Sequence, residues 1–154
     1  MRQWVNYVVG RRNPDVTVKF ELGCQGLQIH VPRNAVKRVM RHLVHNALDA
    51  MVEMSPACLV IRTVQTSHDW VEIQVNDNGP GLDDSVRQTL FQEPKSTKEG
   101  DRRGYGLLFV RSVVEDMDGQ LKAIPSESGQ GTTFCFTLPV NGQEENGNDD
   151  VRND

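Results

Sequence analysis

The chain has 154 residues, 37% of them hydrophobic and 25% charged, which suits one domain around one core. Its formal net charge of −4 argues against a nucleic-acid surface, and no apolar run approaches the roughly 20 residues of a membrane span. The first residues carry no signal-peptide pattern, because Arg11 and Arg12 follow the short apolar stretch. Cys24, Cys58 and Cys135 are odd in number and widely spaced, which fits neither a disulfide framework nor a zinc site and points to a reducing cytoplasm.

In chain order, residues 1–13 read as a helical connector from something upstream. Val16, Val18, Phe20 and Leu22 alternate with polar residues and predict a strand. Gly23 to Gly26 is a turn, and Leu27, Ile29 and Val31 predict a short second strand. Pro32 opens a helix of about 20 residues that ends near Met54. Strands follow at Leu59–Val64 and Val71–Val75, joined by a turn at His68-Asp69. Asp84–Leu90 is a short helix, and polar Glu93–Gly104 is a mobile loop. A helix over Gly106–Met117, a strand over Leu121–Ile124, a turn over Ser126–Gly131 and a strand over Thr133–Leu138 complete the order. Residues 141–154 are too polar to order themselves. No repeat is visible. The domain is therefore residues 14–140, and its class is α+β, a sheet covered by helices on one face.

On a helical wheel Val36, Val39, Met40, Leu43, Val44, Ala47, Leu48 and Met51 share one arc. His42, Asn46, Asp49 and Glu53 gather at its edge. Such a stripe is either a solvated face or the lining of a cleft. Asn46 lies about 20° from Val39 and about 60° from Leu43, at the rim of the core. Asn is a poor mid-helix choice, and its amide oxygen is a hard ligand suited to Mg²⁺.

Asp77-Asn78-Gly79-Pro80-Gly81 follows a strand. The glycines make a turn, or they let backbone approach a flat base while Asp77 accepts a hydrogen bond from an exocyclic amine such as that of adenine. Gly104-Tyr105-Gly106-Leu107 opens a helix whose free N–H groups attract anions. Lys95, Lys98, Arg102 and Arg103 precede it, either as a solvated charge run or as cations that close over phosphates. Gly129-Gln130-Gly131-Thr132 is a turn into a strand. No Walker-type loop and no complete G-x-G-x-x-G occurs.

In order, these segments resemble the ATPases of the gyrase, chaperone, histidine-kinase and MutL superfamily. Asn46, in His-Asn-Ala-Leu-Asp-Ala, resembles the N box, and Asp77 to Gly81 the G1 box. Leu90-Phe91 with Pro94 and Ser96-Thr97-Lys98 resembles the F box and the start of the ATP lid. Gly104 to Leu107 resembles the G2 box, and Gly129 to Thr132 the last glycine box. The likeness runs from about Pro14 to Pro139, and its short form looks like a sensor histidine kinase.

The resemblance implies a two-layer α/β sandwich of Bergerat type, with a mixed sheet, binding ATP and Mg²⁺. It implies Asn46 as the Mg²⁺ ligand and Asp77 as the adenine acceptor. His42, Asn46 and Lys98 become catalytic candidates. The nucleotide site would comprise Asn46, Asp49, Asp77, Gly79, Gly81, Lys98, Gly104, Tyr105, Gly106, Leu107 and Thr132. The γ-phosphoryl group would pass to a histidine on a separate dimerisation and phosphoacceptor domain, and a response regulator would act downstream. Residues 1–13 would be the connector from that domain. Alone, the chain would be a cytoplasmic monomer that binds ATP without autophosphorylating and touches no membrane, although its parent could be membrane-anchored.

Three positions depart from the pattern. His42 stands where many sensor kinases have Asn, although chemotaxis-type kinases share the His. Asp49 stands where many have Lys or His, and no aromatic follows Pro94. A stand-alone serine kinase of the anti-sigma-factor type and a non-catalytic nucleotide-binding or docking module are the alternatives.

Overall fold

The computed structural model describes residues 1–24, 26–83, 86, 88, 90–91, 105–125 and 131–140. Its elements are α1 (Arg2–Arg12), β1 (Thr17–Leu22), α2 (Arg33–Ala50), β2 (Cys58–Gln65), β3 (Trp70–Asp77), α3 (Tyr105–Glu115), β4 (Leu121–Pro125) and β5 (Thr132–Pro139). The strands form one five-stranded sheet in the order β1-β2-β3-β5-β4. β1 pairs parallel with β2, so α2 is the crossover between them. The other pairings are antiparallel, which makes the sheet mixed as expected.

Alternation in the strands sets the two faces. Leu59 and Ile61 of β2, Val71, Ile73 and Val75 of β3, and Phe134, Phe136 and Leu138 of β5 are all buried. In register, Ile61 lies beside Val75, and Val75 beside Phe134. This face receives α2. All eight apolar residues of the wheel, Val36 through Met51, are at most 8% exposed. Burying each Leu, Met or Phe of this layer contributes about 1.5–3 kcal/mol. From α3, Val110 and Val114 are fully buried beside them.

α3 ends in a Schellman motif: Gly119 N–H donates to the Val114 carbonyl at 2.9 Å and Asp118 N–H to that of Glu115 at 2.9 Å. Asp118 takes the left-handed position at φ 58°.

Two expectations change. Leu27, Ile29 and Val31 form no strand: they are half-buried and pack on the core, but the segment has no ladder partner. Alternation reports one-sided burial, which an irregular segment lying along a core also shows. α2 stops at Ala50, with turns over 51–53 where Met54 was expected to end it. α1 is a helix as expected, and it also contributes to the core, through Val5 and Val9. Val86 and Gln88 are helical within the expected Asp84–Leu90 helix. The expected Glu93–Gly104 loop, the tail at 141–154 and most of the Ser126–Gly131 turn lie outside the described residues. No helix among the described residues is long and apolar enough to cross a membrane.

Candidate functional site

Asp77 is the last residue of β3 and is 1% exposed, the only buried acidic side chain among the described residues. Its Oδ1 accepts hydrogen bonds from Gly79 N–H at 2.9 Å and Thr132 N–H at 3.2 Å. Burial pushes the carboxyl pKa up, and these backbone donors offset part of that rise. The result is a carboxylate fixed at a strand end by its neighbours' amides.

The glycines around it are needed for close approach. A β-carbon on Gly79 would stand 2.9 Å from Asp77 Oδ1 and 3.1 Å from the Ala50 carbonyl oxygen. Gly81 adopts φ +83° against the backbone of Gly131, which itself has φ +88° and lies on the backbone of Asp77 and Asn78. Asn78 ties the same loop to the start of β2: Cys58 N–H donates to its Oδ1 at 2.8 Å, and its Nδ2 donates to the Pro56 carbonyl at 2.8 Å. Thr132 is buried beside Asp77. Thr133 projects to the other face of the sheet, where its hydroxyl accepts from Asn76 Nδ2 at 2.6 Å.

α2 runs from this end of the sheet to the N-terminus of α3. Ala50 touches Gly79, half-buried Asn46 follows one turn back, and His42 follows one more. At 1.5 Å per residue, Ala50 to His42 spans about 12 Å. At the far end, a β-carbon on Gly106 would meet His42 Nδ1 at 3.5 Å. The His42 ring packs on Phe109 with centroids 5.2 Å apart, and the Arg38 guanidinium carbon stands 4.6 Å over the same ring. Burial, then the positive charges of Arg41, His45 and Arg38, lower the His42 pKa, so it is neutral at pH 7.

The structure therefore brings Asp77, Gly79, Gly81 and Thr132 together at the C-terminal end of α2, and His42 with Gly106 at the middle of that helix, with Asn46 between. Leu107 is half-buried in the first turn of α3. Tyr105 begins that helix, and its side chain lies outside the described residues. Asp49 is paired with Arg12 of α1 at 3.1 Å, both side chains 46% exposed. Lys98 and Gly104 lie outside the described residues. Arg38 and Phe109 were not among the residues expected at the site. Spacing held a signal for the first, since Arg38, His42 and Asn46 stand at i, i+4 and i+8 along one helix.

A buried acidic acceptor and a helix N-terminus, joined by one helix, form a plan that recurs among known proteins. The family described as "Histidine kinase-, DNA gyrase B-, and HSP90-like ATPase" matches residues 32–142. The chain belongs to this ATPase family. Its expected α+β fold and ATP as the family's nucleotide follow. Within the family, the chain is 34% identical over 133 residues to the sensor protein FixL of Bradyrhizobium diazoefficiens, covering 86% of this chain and 26% of FixL. The nucleotide-free catalytic domain of the histidine kinase ThkA shares the fold, with a TM-score of 0.75 at 24% identity over 90% of each chain. ThkA in complex with the response regulator protein TrrA matches with a TM-score of 0.73 at 23% identity, over 91% of this chain and 39% of that one. The chain thus spans about a quarter of the length of FixL.

Proposed function

We propose that this ATPase-family domain binds Mg-ATP and donates the γ-phosphoryl group to a histidine on a separate dimerisation domain of a two-component sensor kinase. The observation that carries the reading is Asp77, a carboxylate buried at a strand end and held by two backbone N–H groups. Adenine, which offers an exocyclic amine, suits that acceptor, and Gly79 and Gly81 leave room for the flat base. From there α2 leads past Asn46 and His42 to the first turn of α3, whose free N–H groups and dipole favour phosphate.

Asn46 suits Mg²⁺ through its hard amide oxygen. No group of three His, Cys, Asp or Glu among the described residues would hold a metal alone, so the fit is to an ion shared with phosphate oxygens. Bound there, the ion would neutralise charge on the phosphates. The protein's part is placement: the bond from the γ-phosphorus to the bridging oxygen of ADP breaks as a bond to imidazole nitrogen forms, in line. His42 lies close enough to the α3 N-terminus to bond a phosphate oxygen. Lys98 would add a cation, and Gly104, Tyr105 and Leu107 would shape the phosphate end. Asp49 would stand at the edge of the site, and Thr132 beside the base.

On this reading α1 would be the connector from an acceptor domain, with a response regulator downstream. The domain itself would be monomeric and cytoplasmic, beneath a parent anchored in the membrane or free of it.

Calorimetric titration of Mg-ATP into the chain and into Asp77→Asn tests the reading. Saturable binding, weakened at least tenfold in the variant (about 1.4 kcal/mol), is expected. Labelled ATP with the parent's acceptor domain should then yield acid-labile phosphohistidine. Label on a partner's serine would favour the anti-sigma-type kinase, and binding without transfer would favour the docking module. No binding at millimolar ATP would overturn the proposal.

A further inference from the structure

His42 and Arg38 share one neighbour across the gap between α2 and α3: the half-buried ring of Phe109. The imidazole stands tilted at 52° to that ring, with its Nδ1 toward the backbone of Gly106. A tilted aromatic pair at this separation is favourable, and a guanidinium within about 6 Å of a ring centroid gains a cation–π attraction. Arg38 is exposed, and among the described residues no carboxylate pairs with it. The contact the structure gives this cation is the Phe109 ring, 4.6 Å from the guanidinium carbon. Phe109 sits one turn inside α3, so its position is rigid relative to the first-turn N–H groups of that helix.

We propose that Phe109 is a positioning residue for the triphosphate, holding His42 against the N-terminus of α3 and Arg38 beside it so that the site grips the terminal phosphates in preference to the nucleoside. This rests on the reading that adenine lies at Asp77 and the phosphates at α3. The role is aromatic and not merely apolar. A leucine at 109 fills much of the same space but offers no ring face to imidazole or guanidinium. Loss of the ring frees both side chains to spread over rotamers, and the entropy of fixing them again falls on binding.

The affinities of ATP, ADP and AMP for the wild type, Phe109→Leu, Phe109→Tyr and Arg38→Gln, measured by calorimetry, test this. In the wild type ATP should bind more tightly than AMP. Phe109→Leu should weaken ATP about tenfold while AMP stays within twofold, and Phe109→Tyr should restore ATP binding. Arg38→Gln should lower ATP affinity more than ADP affinity. The imidazole proton resonances of His42 should lose their ring-current shift in Phe109→Leu. Unchanged ATP affinity in Phe109→Leu would overturn the proposal, as would equal losses for ATP and AMP, which mark a packing role alone. A wild type that binds ATP and AMP equally would remove the underlying placement of the phosphates. One that binds none of the three would remove the nucleotide site itself.

Discussion

A β-carbon on Gly131 would overlap the carbonyl oxygen of Asp77. The residue before β5 is thus pressed on the end of β3, at the point where the next residue, Thr132, donates its N–H to the Asp77 carboxylate. Two constraints meet at Gly131, because its φ of +88° is also one that L side chains rarely adopt. Gly131→Ala must therefore open the β3–β5 junction. The expected cost is at least about 2 kcal/mol in denaturant unfolding, together with loss of ATP binding. A variant that unfolds and binds like the wild type would show that this contact can relax without moving Asp77.

Burial gives Asp77 a pH-dependent cost to the fold. Its pKa is raised on folding, so the folded chain holds the proton more tightly than the unfolded chain. Stability from this group is greatest below the ordinary 3.8 and is lost as pH rises through the folded value. At neutral pH the buried charge is a net cost. Asp77→Asn keeps an oxygen to accept from Gly79 and Thr132 and removes that charge. Its nucleotide-free midpoint in guanidinium should equal or exceed the wild-type value while ATP affinity falls at least tenfold. A lower midpoint would mean that the ionised carboxylate holds the two strand ends together.

Much of this arrangement was legible in the chain. The 3.6-residue period identified the seven buried residues of α2 and buried Met51 just past its end, because a helix against a sheet has only one way to hide an apolar arc. Asp77 was legible because a carboxylate amid turn-forming glycines follows an alternating strand. Leu27–Val31 misled because alternation does not report ladder pairing. Arg38 had a signal in its i, i+4 spacing to His42, whereas Phe109 had none, because its meeting with both depends on how α3 lies across α2, which no local pattern encodes. The partner of Asp49 was hidden for the same reason: Arg12 belongs to α1, and only packing brings the two together.

The end of α3 offers a test away from the site. Asp118 occupies the left-handed position of a Schellman motif, where glycine carries no β-carbon penalty. Asp118→Gly should raise stability by about 1 kcal/mol, seen as a higher denaturation midpoint with ATP binding unchanged. A loss of stability would show that the Asp118 side chain makes a compensating contact.

His42 makes the fold sensitive to mild acid. Its pKa is lowered from the ordinary 6.5, by burial first and then by Arg41, His45 and Arg38. His45, on the same helix, is lowered chiefly by burial as well, with Arg12 adding to this and Asp49 opposing it. An imidazole less basic in the folded chain takes its proton first in the unfolded one. Above pH 6.5 both states are neutral, and the group's contribution is constant. As pH falls through 6.5 toward the folded value, the unfolded chain gains the proton and stability drops. Denaturant midpoints measured at pH 7.5 and pH 5.5 should therefore fall in the wild type and fall less in His42→Gln, with His45 supplying the remainder. Equal drops in the two proteins would mean that His42 titrates as if solvated, and that the packing of its ring on Phe109 does not persist in solution.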